Sequence, residues 1–124
     1  MIIGCGIDIV EIKRIKSLRE RYQERFLNRL FSESERNYCQ KKKWVDRHLA
    51  GRFAAKEAFI KALGGNTRQL RWHDLEIRNN GGGKPDLLLL GNSRDLVEDV
   101  HIKNIYLTIS HSDNFAVAQV ILEK

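Results

Sequence analysis

The chain has 124 residues, the usual size of one domain, and its 42% hydrophobic and 31% charged residues supply one core without the bias of a disordered chain. Twenty-two Lys and Arg against 16 Asp and Glu leave a net charge of +6, which favours an anionic partner such as nucleic acid, a phosphate compound or an acidic protein. Cys5 and Cys39 stand far apart with no CxxC pair, so neither a disulfide framework nor a zinc site is indicated, and a reducing compartment is expected.

Residues 1–10 form an apolar stretch broken at Asp8, with no basic leader; no later run of 18 apolar residues follows, so neither a signal peptide nor a membrane span is expected. The segment reads as a strand. Ile3, Cys5, Ile7 and Ile9 share one face; Gly4, Gly6, Asp8 and Val10 share the other, where the two glycines leave room for a close approach beside a carboxylate. Residues 13–30 repeat Ile15, Leu18, Tyr22, Phe26 and Leu30 at spacings of three and four, which predicts one amphipathic helix. Its segment 13–29 carries seven bases against two acids, and Arg14, Arg21 and Arg25 fall within about 40° of one another as a basic ridge.

Ser32 with Glu35 makes a capping box, predicting a helix that runs into Lys41-Lys42-Lys43. The next helix is predicted from about Asp46 to the Gly64-Gly65 pair, with Leu49, Phe53, Ile60 and Leu63 as its core stripe and Ala50, Ala54, Glu57, Lys61 and Gly64 along one flank. A hairpin over residues 72–90 turning at Asn79-Asn80-Gly81-Gly82-Gly83, a short helix over 92–100, and a second hairpin with strands at 105–110 and 115–122 complete the chain. The fold class is α+β: one domain over 1–124, helices mainly in the first half, packed on antiparallel strands mainly from the second.

Asp8 and Glu57 are hard oxygen ligands, and two carboxylates completed by water and substrate phosphate are a common way of holding Mg²⁺. Lys61, one turn beyond Glu57, can neutralise a phosphate on the same metal. The residues alone point to an anionic, phosphorylated substrate and a divalent metal.

Three blocks carry a resemblance: Gly6-Ile-Asp8-Ile-Val-Glu-Ile12, Leu49-Ala-Gly-Arg-Phe-Ala-Ala-Lys-Glu57-Ala-Phe-Ile-Lys61-Ala-Leu-Gly64, and Ile109-Ser-His-Ser112 followed by Ala116-Val-Ala-Gln-Val120. The chain resembles the holo-[acyl-carrier-protein] synthases, the short bacterial type of 4′-phosphopantetheinyl transferase, over nearly its whole length. The resemblance implies Mg²⁺-dependent transfer of the phosphopantetheine arm of coenzyme A to a serine of apo-acyl carrier protein, releasing adenosine 3′,5′-bisphosphate, in support of fatty acid biosynthesis in the cytoplasm. It implies that Asp8 and Glu57 hold the metal, that Lys61 offsets charge on the leaving side, and that Arg52, Gly64, His111 and Ser112 join Lys61 in contacting coenzyme A. Asp8, through a metal-bound water, and Glu57 both remain open as the base. Arg14, Arg21 and Arg25, with Leu18 beside them, would dock the acidic carrier protein, and the family forms homotrimers with active sites between subunits. The loop Gly64-Gly65-Asn66 departs from the Gly-Thr-Gly pattern expected there.

Two other readings fit part of the sequence. A nucleic-acid-binding protein would suit the charge, but aromatic residues interleaved with the exposed bases are missing, and no nucleic acid or membrane partner is expected. Another Mg²⁺-dependent phosphotransferase would suit the carboxylates equally.

Overall fold

The computed structural model describes residues 1–65 and 70–124; Asn66 of the departing loop lies outside them. β1 (Ile2–Glu11) leads directly into α1 (Ile12–Tyr22), followed by α2 (Glu24–Leu30), α3 (Glu33–Gln40) and α4 (Val45–Leu63). A 3-10 turn at Trp72–Asp74, β2 (Leu75–Asn79), β3 (Pro85–Leu89), α5 (Ser93–Asp99), β4 (Asn104–His111) and β5 (Phe115–Glu123) complete the order. β1, β5 and β4 form an antiparallel sheet with β5 in the centre, while β2 and β3 form a separate hairpin. The α+β class and both hairpins match the sequence reading; the strands divide into two sheets.

The helix expected over 13–30 is two helices. Gln23 has φ 48, and its N–H bonds to Arg19 O, so α1 ends and α2 starts in a new direction. Helical phase therefore does not carry from Arg14 and Arg21 to Arg25. Tyr22, expected on the core stripe, is 40% exposed, whereas Ile15 and Phe26 are buried. The Ser32 capping box forms as predicted, but α3 ends at Gln40, before the three lysines.

α4 is the organising element. Ala50, Ala54, Ala55 and Ala58 are fully buried and Phe59 with them, whereas Ile60 and Leu63 of the predicted core stripe are only partly buried. The reason is the sheet: α4 lies across β1 and β5, and its small residues let the backbones approach. The room beside Gly4 and Gly6 is taken by α4 itself, since a Cβ at either position would overlap the carbonyl oxygen of Ala62 or of Ala58.

Lys56, wholly buried, secures the other side of α4. Its Nζ donates to Glu35 Oε1 (2.6 Å), Trp72 O (2.9 Å) and Leu30 O (2.5 Å), using all three donors. Glu35 in turn accepts from Ser32 N and from Ile77 N (3.1 Å), so one buried pair joins α2, α3, α4, the 3-10 turn and β2. Burial pulls the Lys56 ammonium below the usual lysine range, against the charge of Glu35. Arg19 adds a bidentate pair to Asp46 (2.6 and 3.0 Å), fixing α1 on the first turn of α4.

The opposite face of the three-stranded sheet is uncovered. Ile7 and Ile9 are 59% and 64% exposed, with Ile3, Phe115 and Tyr106 exposed beside them.

Candidate active site

Asp8 lies two residues beyond Gly6 on the strand face that meets α4, and Glu57 and Lys61 stand one turn apart on the helix. Lys61 Nζ donates to Asp8 Oδ1 (3.0 Å) and to Ile7 O (3.1 Å). Only 16% of the Asp8 side chain is exposed, against 52% for Lys61, so the carboxylate is the more buried partner and the ammonium lies over it. Burial pushes the Glu57 carboxyl above the usual carboxylate range and the charge of Asp8 adds to it, while Lys61 and Arg14 pull the other way. The charges of Asp8, Lys61 and Arg14 thus all act on Glu57. Gly64, with φ 84, closes α4 one residue after Leu63, and its N–H bonds to Lys61 O (3.2 Å).

Two carboxylates whose charges repel are a poor arrangement for stability and a good one for a divalent cation. Among the described residues no cluster of three or more His, Cys, Asp and Glu side chains could enclose a metal. A hard cation held here by Asp8 and Glu57 would keep most of its shell for water and phosphate oxygens, which fits Mg²⁺.

Beside the Asp8, Glu57 and Lys61 cluster is a groove of about 610 Å³, lined by Arg14, Leu18, Tyr22, Arg25, Phe26, Arg29, Leu30, Phe53 and Trp72. Arg14 belongs to both, with its guanidinium 5.8 Å from the centre of the Phe53 ring and its charge acting on Glu57. Arg25 lines the groove from α2, joined by Arg29. Arg21 is not in the lining and lies over the Tyr22 ring instead. The predicted ridge is therefore corrected to a two-helix groove.

Arg52, His111 and Ser112 form a separate group. Arg52 and Lys61 are nine residues apart, about 180° around α4. Arg52 is 4% exposed, with Nη2 donating to Asn79 Oδ1 (2.8 Å) and the guanidinium over the Tyr38 ring. His111 lies against Gly51, where a Cβ would come within 2.5 Å of Nε2. The Ser112 hydroxyl accepts from Phe115 N (3.0 Å) and Asn114 N (3.3 Å), tying the turn between β4 and β5. Among the described residues no hydrogen bond or ion pair links this group to Asp8, Glu57 or Lys61.

Lys56, Gly51 and His48 were not singled out from the sequence. Lys56 had a signal: it falls on the helix side of Leu49 and Phe59. So had Gly51, since glycine inside a helix costs about 1 kcal/mol relative to alanine and asks for a packing reason.

Residues 4–120 match the 4′-phosphopantetheinyl transferase superfamily. The chain belongs to that superfamily. Among curated relatives of this family, the holo-[acyl-carrier-protein] synthases of Geobacter metallireducens and Halothermothrix orenii are each 46% identical, covering 100% of this chain and 99% of theirs. Among solved transferases, the holo-[acyl-carrier-protein] synthase of Neisseria meningitidis superposes with TM-score 0.94 at 32% identity, covering 100% of both chains. That of Helicobacter pylori, solved in complex with coenzyme A, gives 0.84 at 35% identity, covering 96% of this chain and 99% of that one. No helix among the described residues of this transferase is long and apolar enough to cross a membrane.

Proposed function

We propose that the chain transfers the 4′-phosphopantetheine arm of coenzyme A to a serine hydroxyl of apo-acyl carrier protein, giving holo-acyl carrier protein and adenosine 3′,5′-bisphosphate, in support of fatty acid biosynthesis. The observation that carries this reading is the Lys61–Asp8 bond with Glu57 within range of both charges, near a basic, partly apolar groove that shares Arg14, in a chain so similar to holo-[acyl-carrier-protein] synthases along its length.

The serine oxygen bonds to the phosphorus that bears the pantetheine arm, the bond from that phosphorus to the bridging oxygen breaks, and the bridging oxygen leaves on adenosine bisphosphate. Asp8 and Glu57 would hold Mg²⁺, which when bound supplies charge stabilisation to the pyrophosphate. The serine proton passes to Glu57 or, through a water, to Asp8. Lys61, already positioned by Asp8 Oδ1 and Ile7 O, offsets negative charge on the leaving side. Arg14 and Arg25 steer the acidic carrier into the groove, with Leu18 and Tyr22 as apolar contacts.

Arg52, His111 and Ser112 take up coenzyme A from a second copy of the chain. The half-turn around α4 that separates Arg52 from Lys61 and the uncovered apolar sheet face support a homotrimer whose active sites lie between subunits. A cytoplasmic setting accords with Cys5 and Cys39 both being free.

Incubation with coenzyme A, Mg²⁺ and apo-acyl carrier protein, followed by mass spectrometry of the carrier, tests the reading. A gain of one phosphopantetheine on the carrier serine is expected. An unmodified carrier, together with salt-sensitive binding of the protein to DNA or RNA, would overturn it.

A further inference from the structure

Around His48 in the first half of α4 gather Arg47, Arg52, Lys42 and His111. His48 is half-buried, its ring edge-on to Tyr38 of α3 (5.9 Å between centres, 83° between planes) and 6.2 Å from the His111 ring at the end of β4. Arg47 and Arg52 face it from its own helix and Lys42 from the segment after α3. Asp113, on the exposed turn after β4, pairs with Arg47 at 3.4 Å. Among the described residues no carboxylate bonds to Arg52, His48 or His111. Arg52 is the telling member: its guanidinium is buried and, among the described residues, is bonded only to the neutral amide of Asn79, with no partner for its buried Nε–H. A buried cation left with an unpaired N–H is costly unless an anion completes it.

We propose that His48 is a further recognition residue for a phosphate group of the substrate, and that the His48–His111 pair takes up a proton from solvent as that phosphate binds. The inference rests on the reading that Arg52, His111 and Ser112 contact coenzyme A. In the free protein, burial holds both imidazoles below the usual histidine range, with Arg52 and His111 next in weight for His48 and Arg47 for His111. The pair is therefore neutral at neutral pH. A bound phosphate reverses the balance, because its negative charge offsets Arg47, Arg52 and Lys42 and gives an imidazolium N–H an acceptor. At 6.2 Å the two rings repel if both are fully charged, so the pair takes up fewer than two protons, with part of the uptake carried by His48 and lost with it. His48 thus adds a charge that exists only in the complex.

Calorimetric titration of the full chain with adenosine 3′,5′-bisphosphate, in buffers of differing ionisation enthalpy at pH 7.5, counts the protons exchanged. Uptake is expected for the wild type and a smaller uptake for His48→Gln; the ligand's own phosphate titration is common to both proteins and cancels in the difference. The variant should bind roughly tenfold more weakly at about pH 6 and within about twofold of wild type at about pH 9. His48→Phe, which preserves the edge contact with Tyr38, should behave as His48→Gln does and separates proton linkage from lost packing. Equal uptake by wild type and both variants, with binding intact, overturns the inference alone. Failure of the wild type to bind the nucleotide overturns the underlying reading and the inference together.

Discussion

Gly6 and Ala58 meet backbone to backbone: a methyl group at position 6 would occupy the place of the Ala58 carbonyl oxygen. The obstacle is main chain, so no rotamer change relieves it. Gly6→Ala is expected to cost about 3 kcal/mol through forced separation of β1 from α4. It should also lower transfer activity more than that loss explains, because Asp8 and Glu57 sit on the two elements pushed apart. Urea denaturation midpoints and Mg²⁺-dependent transfer rates on the folded fraction check both parts.

Glu57→Gln is expected to abolish transfer and to raise the melting temperature of the metal-free protein at neutral pH. The folded-state pKa of Glu57 is raised, so between the unfolded and folded values the native chain binds more protons than the unfolded one. Its contribution therefore favours folding at low pH and is lost as pH rises through that window; by neutral pH the charged carboxylate opposes folding, and glutamine removes it. Thermal melts of both proteins at pH 4 and pH 7 should show the difference at pH 7 shrinking at pH 4. Mg²⁺ should narrow it too, by stabilising only the wild type.

Much of this site was legible in the sequence because it is local chemistry on regular elements. Alternation placed Asp8 on the face of Gly4 and Gly6, and helical period placed Glu57, Lys61 and the closing Gly64 together. What approaches those glycines was not legible, since nothing in a strand's own pattern says that its close neighbour is a helix. The break at Gln23 was missed for a related reason: the apolar spacing continues from Tyr22 to Phe26 across a residue of positive φ, which glutamine rarely adopts. The Lys56–Glu35 pair joins positions 21 residues apart through tertiary packing, and no spacing rule reports that.

Charge reversal at Arg14 or Arg25 should raise the KM for carrier protein about tenfold at low salt and leave coenzyme A binding unchanged. The same change at Arg21, outside the groove, should have a smaller effect. Steady-state kinetics over a range of salt concentrations distinguish the three, and the penalty at Arg14 and Arg25 should shrink as salt rises.

Lys56→Met leaves Glu35 charged and buried without its partner, which should destabilise the fold by about 3 to 5 kcal/mol. Lys56→Met with Glu35→Leu should recover part of the loss, although Ile77 N and Ser32 N then lack an acceptor. A double-mutant cycle by chemical denaturation measures the coupling.

Gly51→Ala improves helix propensity by about 1 kcal/mol but displaces the His111 ring. Unchanged or improved stability with a several-fold higher KM for coenzyme A is expected, read by thermal melts and initial rates.

In the proposed assembly, with Glu57 and Lys61 on one side of α4 and Arg52 on the other, each polypeptide would serve two different reaction centres, half of each. Two individually dead proteins, one altered at Glu57 and the other at Arg52, should therefore regain turnover when they are unfolded together and reassembled. A mixed ring contains at least one junction where both contributing surfaces are intact.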